Sequence, residues 1–217
     1  MLNLSRLHVV AALAFTLTSA SALAGQVVVE KNPVEKEPVV VESPFDKGRM
    51  ELQIGVGGYH SFGDASDARP ELVDIGGLVR LGWMLTDVHG DGCFRGNWEF
   101  LTEFSGGGIV EGPGDVLLNL TLLLRYNFVK PDSKCVPYFQ LGGGGTYSDA
   151  HEDPVQRVLG SEFLFNLQAG LGIRYMCSDR CAVFIEANYR HISNADTSDR
   201  NYGLNSIGGW IGVSTFF

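Results

Sequence analysis

From residue 50 onward the chain alternates between two kinds of position. Met50, Leu52, Ile54 and Val56 are apolar, and Glu51, Gln53, Gly55 and Gly57 stand between them. Val73, Ile75, Val79, Leu81 and Trp83 alternate with Asp74, Gly76, Arg80 and Gly82, and Trp98, Phe100 and Phe104 with Asn97, Glu99 and Glu103. The longest run places Val116, Leu118, Leu120, Leu122, Leu124, Tyr126 and Phe128 on one face, with Asn119, Thr121, Arg125 and Asn127 on the other. Phe139 and Leu141, then Phe163 to Tyr175, Val183 to Tyr189 and Ile207 to Phe217, repeat the pattern. Side chains in a strand point alternately to opposite faces, so a period of two predicts eight strands, each with one apolar face and one polar or glycine face.

The choice of which face points inward separates a soluble barrel from a membrane one. Bulky residues occupy the apolar face of nearly every strand and would overfill the interior of a small eight-stranded barrel. The other face is rich in glycine and carries nearly balanced charges, which suits a lumen closed by ion pairs. Aromatics collect at strand ends, at Trp83, Tyr126, Phe128, Tyr175 and Tyr189, like an interfacial girdle, and the chain ends in Phe216-Phe217. The predicted fold is therefore all-β, an eight-stranded antiparallel transmembrane β-barrel with an extended N-terminal arm. Long polar connections are expected near 60–72, 105–115, 147–161 and 193–204, facing outside, and shorter ones near 84–95, 129–136 and 176–181, facing the periplasm.

The N-terminus divides into two further segments. Residues 1–24 read as a secretory signal, with Arg6 ahead of the apolar run Val9 to Leu17 and the small-residue site Ala22-Leu23-Ala24. Residues 25–48 read as a Pro/Glu/Val-rich periplasmic arm: Val29-Glu30-Lys31-Asn32-Pro33 is followed by Val34-Glu35-Lys36-Glu37-Pro38, and proline at that spacing blocks both helix and central strand. The barrel is then expected over 49–217. No other segment has the ~20 consecutive apolar residues of a spanning helix. A formal net charge of −9 argues against a nucleic-acid partner.

Four cysteines, Cys93, Cys135, Cys177 and Cys181, all fall in connections expected on the periplasmic side. An even count in an exported chain predicts disulfides, with Cys177–Cys181 and Cys93–Cys135 one of three pairings. A metal site is disfavoured in an oxidising compartment. His60, His89 and His151 lack ligand-like spacing, and Gly142 to Gly145 lacks the Lys-Ser/Thr sequel of a phosphate loop.

One stretch departs from the pattern. At the end of the seventh strand, Tyr189-Arg190-His191-Ile192-Ser193-Asn194-Ala195, parity puts His191 and Ser193 on the apolar, lipid-facing stripe. Polar groups facing hydrocarbon are costly, and chemistry on a lipid gives them a reason: His as general base, Ser as nucleophile. Asn205 shares that parity. Across a hairpin its amide oxygen can accept the imidazole N–H and hold the tautomer, with Asp196 and Asp199 as loop alternatives.

Through His191-x-Ser193-Asn194-Ala195, with Asn201 and Gly203 downstream, the chain resembles the lipid A 3-O-deacylase family of outer-membrane barrels. The resemblance covers the whole barrel in architecture and is specific in the last two strands. It implies His191 as base, Ser193 as nucleophile, and Asn201, with Asn194, as oxyanion or substrate-binding residues. The family's Glu that orients the His falls on Asn205 here. It further implies removal of a 3-linked acyl chain from lipid A of outer-leaflet lipopolysaccharide, in the outer membrane, with no cofactor. The competing reading is a non-catalytic structural or binding barrel that has lost its acidic triad member; an acyltransferase barrel is a weaker third.

Overall fold

Strands form where the alternation runs. The computed structural model describes residues 43–63 and 68–217, so the expected secretory segment and most of the expected Pro-rich arm lie outside the described residues. The strands are β1 (Met50–Ser61), β2 (Val73–Met84), β3 (Gly96–Glu111), β4 (Val116–Phe128), β5 (Cys135–Ser148), β6 (Phe163–Ser178), β7 (Cys181–Ser193) and β8 (Leu204–Phe216). Each pairs antiparallel with the next, and β8 returns to β1 with Glu51 opposite Phe216 and Ser61 opposite Ser206, closing the barrel. Closure leaves no strand edge unpaired, which lipid demands of any backbone that crosses it.

The apolar face points outward. Leu171, Leu167, Ile185 and Phe165 lie 58–69% exposed, while Arg80, Arg125, Arg174 and Arg190 are wholly buried inside. The four guanidinium groups and their carboxylates fill the lumen. Arg80 donates to Glu103 at 2.5 Å and grips Glu186 at 2.6 and 2.8 Å; Arg174 reaches Glu51 at 2.6 Å and Glu99 at 2.9 Å; Arg190 pairs with Asp74. Tyr138 lies between Arg125 and Arg174, 4.2 and 5.0 Å from its ring centre, and its hydroxyl donates to Glu186. Low-dielectric surroundings make such a network cohesive only while every member keeps its partner.

The inward face is not polar throughout. An apolar plug closes each end: Leu72, Ile109, Leu117, Val158, Leu159, Ile192 and Leu204 at the end of the longer loops, and Phe45, Met84, Val136, Met176 and Phe216 at the other. Residues 43–48, placed in the arm from sequence, meet this second plug: Phe45 is 3% exposed, stacks edge-on against Phe216 at 5.5 Å, and its carbonyl accepts a bond from Asn97.

The expected long loop at 105–115 is instead mostly strand. β3 continues to Glu111, leaving 112–115 as a tight turn. The glycines at 106–108 lie against those of β2, so closely that a Cβ on Gly76 would sit 2.0 Å from the Gly106 carbonyl oxygen, and Gly106 has φ +132. Glycine is required there for a close backbone approach, and a residue without a side chain carries no alternation. Gly142 to Gly145 lie inside β5.

Candidate active site on the outer wall

The last hairpin brings the predicted residues together. In the β7–β8 ladder His191 stands directly opposite Asn205. His191 Nδ1 and Asn205 Oδ1 are 2.8 Å apart, so the amide oxygen accepts the Nδ1–H and leaves Nε2 as the free base. A second donor converges on the same oxygen: the Tyr189 hydroxyl, at 2.6 Å. Ser193 ends β7 on the same face, opposite Phe165 of β6. No hydrogen bond between Ser193 and His191 is found among the described residues. Same-face neighbours in a strand stand about 6.6 Å apart along the chain, and catalytic contacts tighten when substrate binds. Phe165, Leu167 and Ile207 surround these groups with apolar surface open to lipid.

The loop that follows is held rigidly. Asn194 is fully buried; its Nδ2 donates to the carbonyls of Ser198 and Arg200, and its Oδ1 accepts from the Asp196 N–H. Asn201 accepts from the Asn194 N–H at 2.9 Å and donates to Asp196 at 2.8 Å. Asn194 thus organises the loop, with its side chain bonded to the loop backbone and, at 3.5 Å, to the Ser161 hydroxyl. The Asn201 amide faces Asp196, which a substrate oxygen would have to replace. Asp196 is engaged by Asn201 rather than by His191, whose Nδ1 is taken by Asn205.

Three contributors were missed or only half seen in sequence. Tyr189 read as a girdle aromatic, although its position two residues before His191 gives it the same face. Gly203, with φ +70, packs against the imidazole: a Cβ there would lie 3.0 Å from His191 Cε1. Arg200 donates to the carbonyls of His151, Asp153 and Gln156, tying the β7–β8 loop to the β5–β6 loop. Nothing in the local sequence signals that tie.

The cysteines lie at the opposite end. Cys93 sits in the short 3-10 turn Gly92–Phe94, Cys135 begins β5, and Cys177 and Cys181 flank the β6–β7 turn. All four are exposed and free, so the expected disulfides are not formed in this structure. His60 faces Glu71 at 3.5 Å, and no group of three or more His, Cys, Asp or Glu is arranged to hold a metal ion among the described residues.

A family model for lipid A 3-O-deacylase (PagL) matches residues 77–214, which include β3 to β7, most of β2 and β8, and all the site residues above. The chain belongs to the lipid A 3-O-deacylase family. Its barrel is similar to that of Neisserial surface protein A, with a TM-score of 0.56 at 15% identity over 79% of this chain and 100% of that one. The outer-membrane enzyme PagL is also similar, with a TM-score of 0.44 at 21% identity, covering 73% of this chain and 97% of that one. So is the N-terminal barrel domain of Pseudomonas aeruginosa OprF, with a TM-score of 0.45 at 15% identity, covering 79% of this chain and 98% of that one. No curated protein matches the chain. Membership of the lipid A 3-O-deacylase family makes this an outer-membrane barrel of the lipid A deacylase type, an ester hydrolase at that coarse level.

Proposed function

We propose that the protein is an outer-membrane serine esterase that removes the 3-O-linked acyl chain of lipid A. Ser193 attacks the ester carbonyl while His191 Nε2 takes its proton. Collapse of the tetrahedral intermediate returns that proton to the departing sugar hydroxyl and leaves the acyl chain on Ser193. Water, deprotonated by the same nitrogen, then releases the fatty acid. Asn205 holds the tautomer and steadies the imidazolium as it forms. The Asn201 amide, turned from Asp196, or backbone N–H groups of the same loop supply the oxyanion donors. The lipid-facing wall suits the substrate, because the acyl chain need not leave hydrocarbon to reach Ser193. In this reading residues 1–24 direct export and 25–48 remain in the periplasm.

The observation that carries the proposal is the 2.8 Å His191–Asn205 bond on the outer wall, beside Ser193 at the strand end. One feature favours the non-catalytic alternative: Asn205 is neutral where the resemblance expects a carboxylate. Mass spectrometry of lipid A from cells with the protein, without it and with Ser193→Ala decides between the two. Loss of one acyl chain is expected only with the parent protein. Identical lipid A in all three strains would leave the binding barrel as the better reading.

A further inference from the structure

An amide differs from a carboxylate in having two unlike ends. With Asn205 Oδ1 toward His191, Nδ1 carries the hydrogen and Nε2 can accept the Ser193 proton. Turned by half a rotation, the amide presents Nδ2, Nδ1 must accept, and the hydrogen moves to Nε2. That tautomer cannot act as the base. Amide rotation of this kind is decided only by neighbouring hydrogen-bond partners.

Resting on the Ser193–His191 reading above, we propose that Tyr189 is a positioning residue that holds the Asn205 oxygen toward His191 and so keeps His191 in its base-competent tautomer. Tyr189 stands opposite Ile207 in the β7–β8 ladder, so its ring leans along the strand to put its hydroxyl 2.6 Å from Asn205 Oδ1. A phenol is a better donor than acceptor. With the amide turned, the Tyr189 proton would face an NH2 group on a wall that looks at lipid, and a hydroxyl without an acceptor there is costly. In the observed arrangement the Tyr189 hydroxyl and His191 Nδ1 both meet the Asn205 oxygen, an acceptor only, so Nδ1 must carry the hydrogen. A carboxylate at 205 would offer oxygen on either side and need no such lock, so the role is specific to the asparagine that this chain carries.

The test uses the purified full chain in detergent micelles, with 15N-labelled histidine and the His191 signals assigned by difference from a His191→Gln sample. In the parent, His191 should show a protonated Nδ1 and an unprotonated Nε2. Tyr189→Phe, which keeps the ring and the fold, should show a mixture of tautomers. The same substitution should lower kcat on lipid A by about three- to tenfold, the range expected for one net hydrogen bond, with little change in KM. In an Asn205→Asp background the Tyr189→Phe effect on kcat should fall to within about twofold. A parent-like tautomer spectrum in Tyr189→Phe overturns the inference, and so does an equal loss of kcat in both backgrounds. The spectrum reads the inference even if the parent shows no activity on lipid A, an outcome that would count against the esterase reading instead.

Discussion

Asn205→Asp tests the chemistry most directly. Aspartate has the shape of asparagine, so it should keep the 2.8 Å contact with His191 Nδ1 and the Tyr189 bond. What changes is charge. In the parent, the imidazolium that forms when His191 takes the Ser193 proton is met by a neutral amide oxygen; in the variant it meets a carboxylate. Neutral hydrogen bonds contribute about 0.5–1.5 kcal/mol net and bonds to charged groups about 1.5–3. The difference acts in the transition state, where the charge exists, and about 1.4 kcal/mol corresponds to a tenfold rate. Two donors already converge on the oxygen at position 205, so the new carboxylate is not left bare. Glutamate would be a blunter test, because its extra methylene carries the oxygens past Nδ1 unless the side chain folds back. The assay is the initial rate of fatty-acid release from lipid A in detergent micelles at saturating substrate. A rise in kcat of about tenfold is expected. An Asn205→Asp protein that is folded but no faster than the parent would refute the orienting role assigned to this position.

Two further substitutions separate site from scaffold. Gly203→Ala puts a Cβ 3.0 Å from His191 Cε1 at a backbone φ of +70; the left-handed conformation costs about 1–2 kcal/mol, and displacing the imidazole by a few tenths of an ångström should lower kcat by about tenfold, with a parent-like kcat arguing against close packing of the ring. Arg80→Met leaves Glu103 and Glu186 buried without their main cation and should destabilise the barrel by about 3–5 kcal/mol, read from urea unfolding in lipid vesicles by tryptophan fluorescence; a change under about 1 kcal/mol would mean that the lumen network relaxes freely.

Much of the site was readable from parity. His191, Ser193 and Asn205 could be set on one outward face because each strand keeps its period to its end. The polar wall was readable too, but its partners were not. Nothing in the chain around Arg174 names Glu51 and Glu99 as the groups it grips. Tyr189 was placed on the correct face, yet its lean toward Asn205 depends on the β7–β8 register. The resemblance implied Asn194 as an oxyanion or substrate-binding residue, and only the structure shows that its side-chain amide also bonds to the loop backbone at Asp196, Ser198 and Arg200. The glycines at 106–108 hid the continuation of β3 over 105–111, because alternation is written in side chains and glycine has none.

By itself the sequence determined the strand count, the outward face and the two polar residues that break the apolar stripe. These are local properties: the pleat repeats every two residues, and hydrocarbon chooses which face it meets. The tertiary structure alone decided the register that sets Asn205 against His191, the tie from Arg200 to the β5–β6 loop, and the bond from the Gly203 N–H to the Val158 carbonyl of that loop, with Gly203 packed beside the imidazole. It also decided the ion pairs that close the lumen. Those are consequences of barrel closure and of contacts between loops far apart in the chain, and no local repeat encodes them.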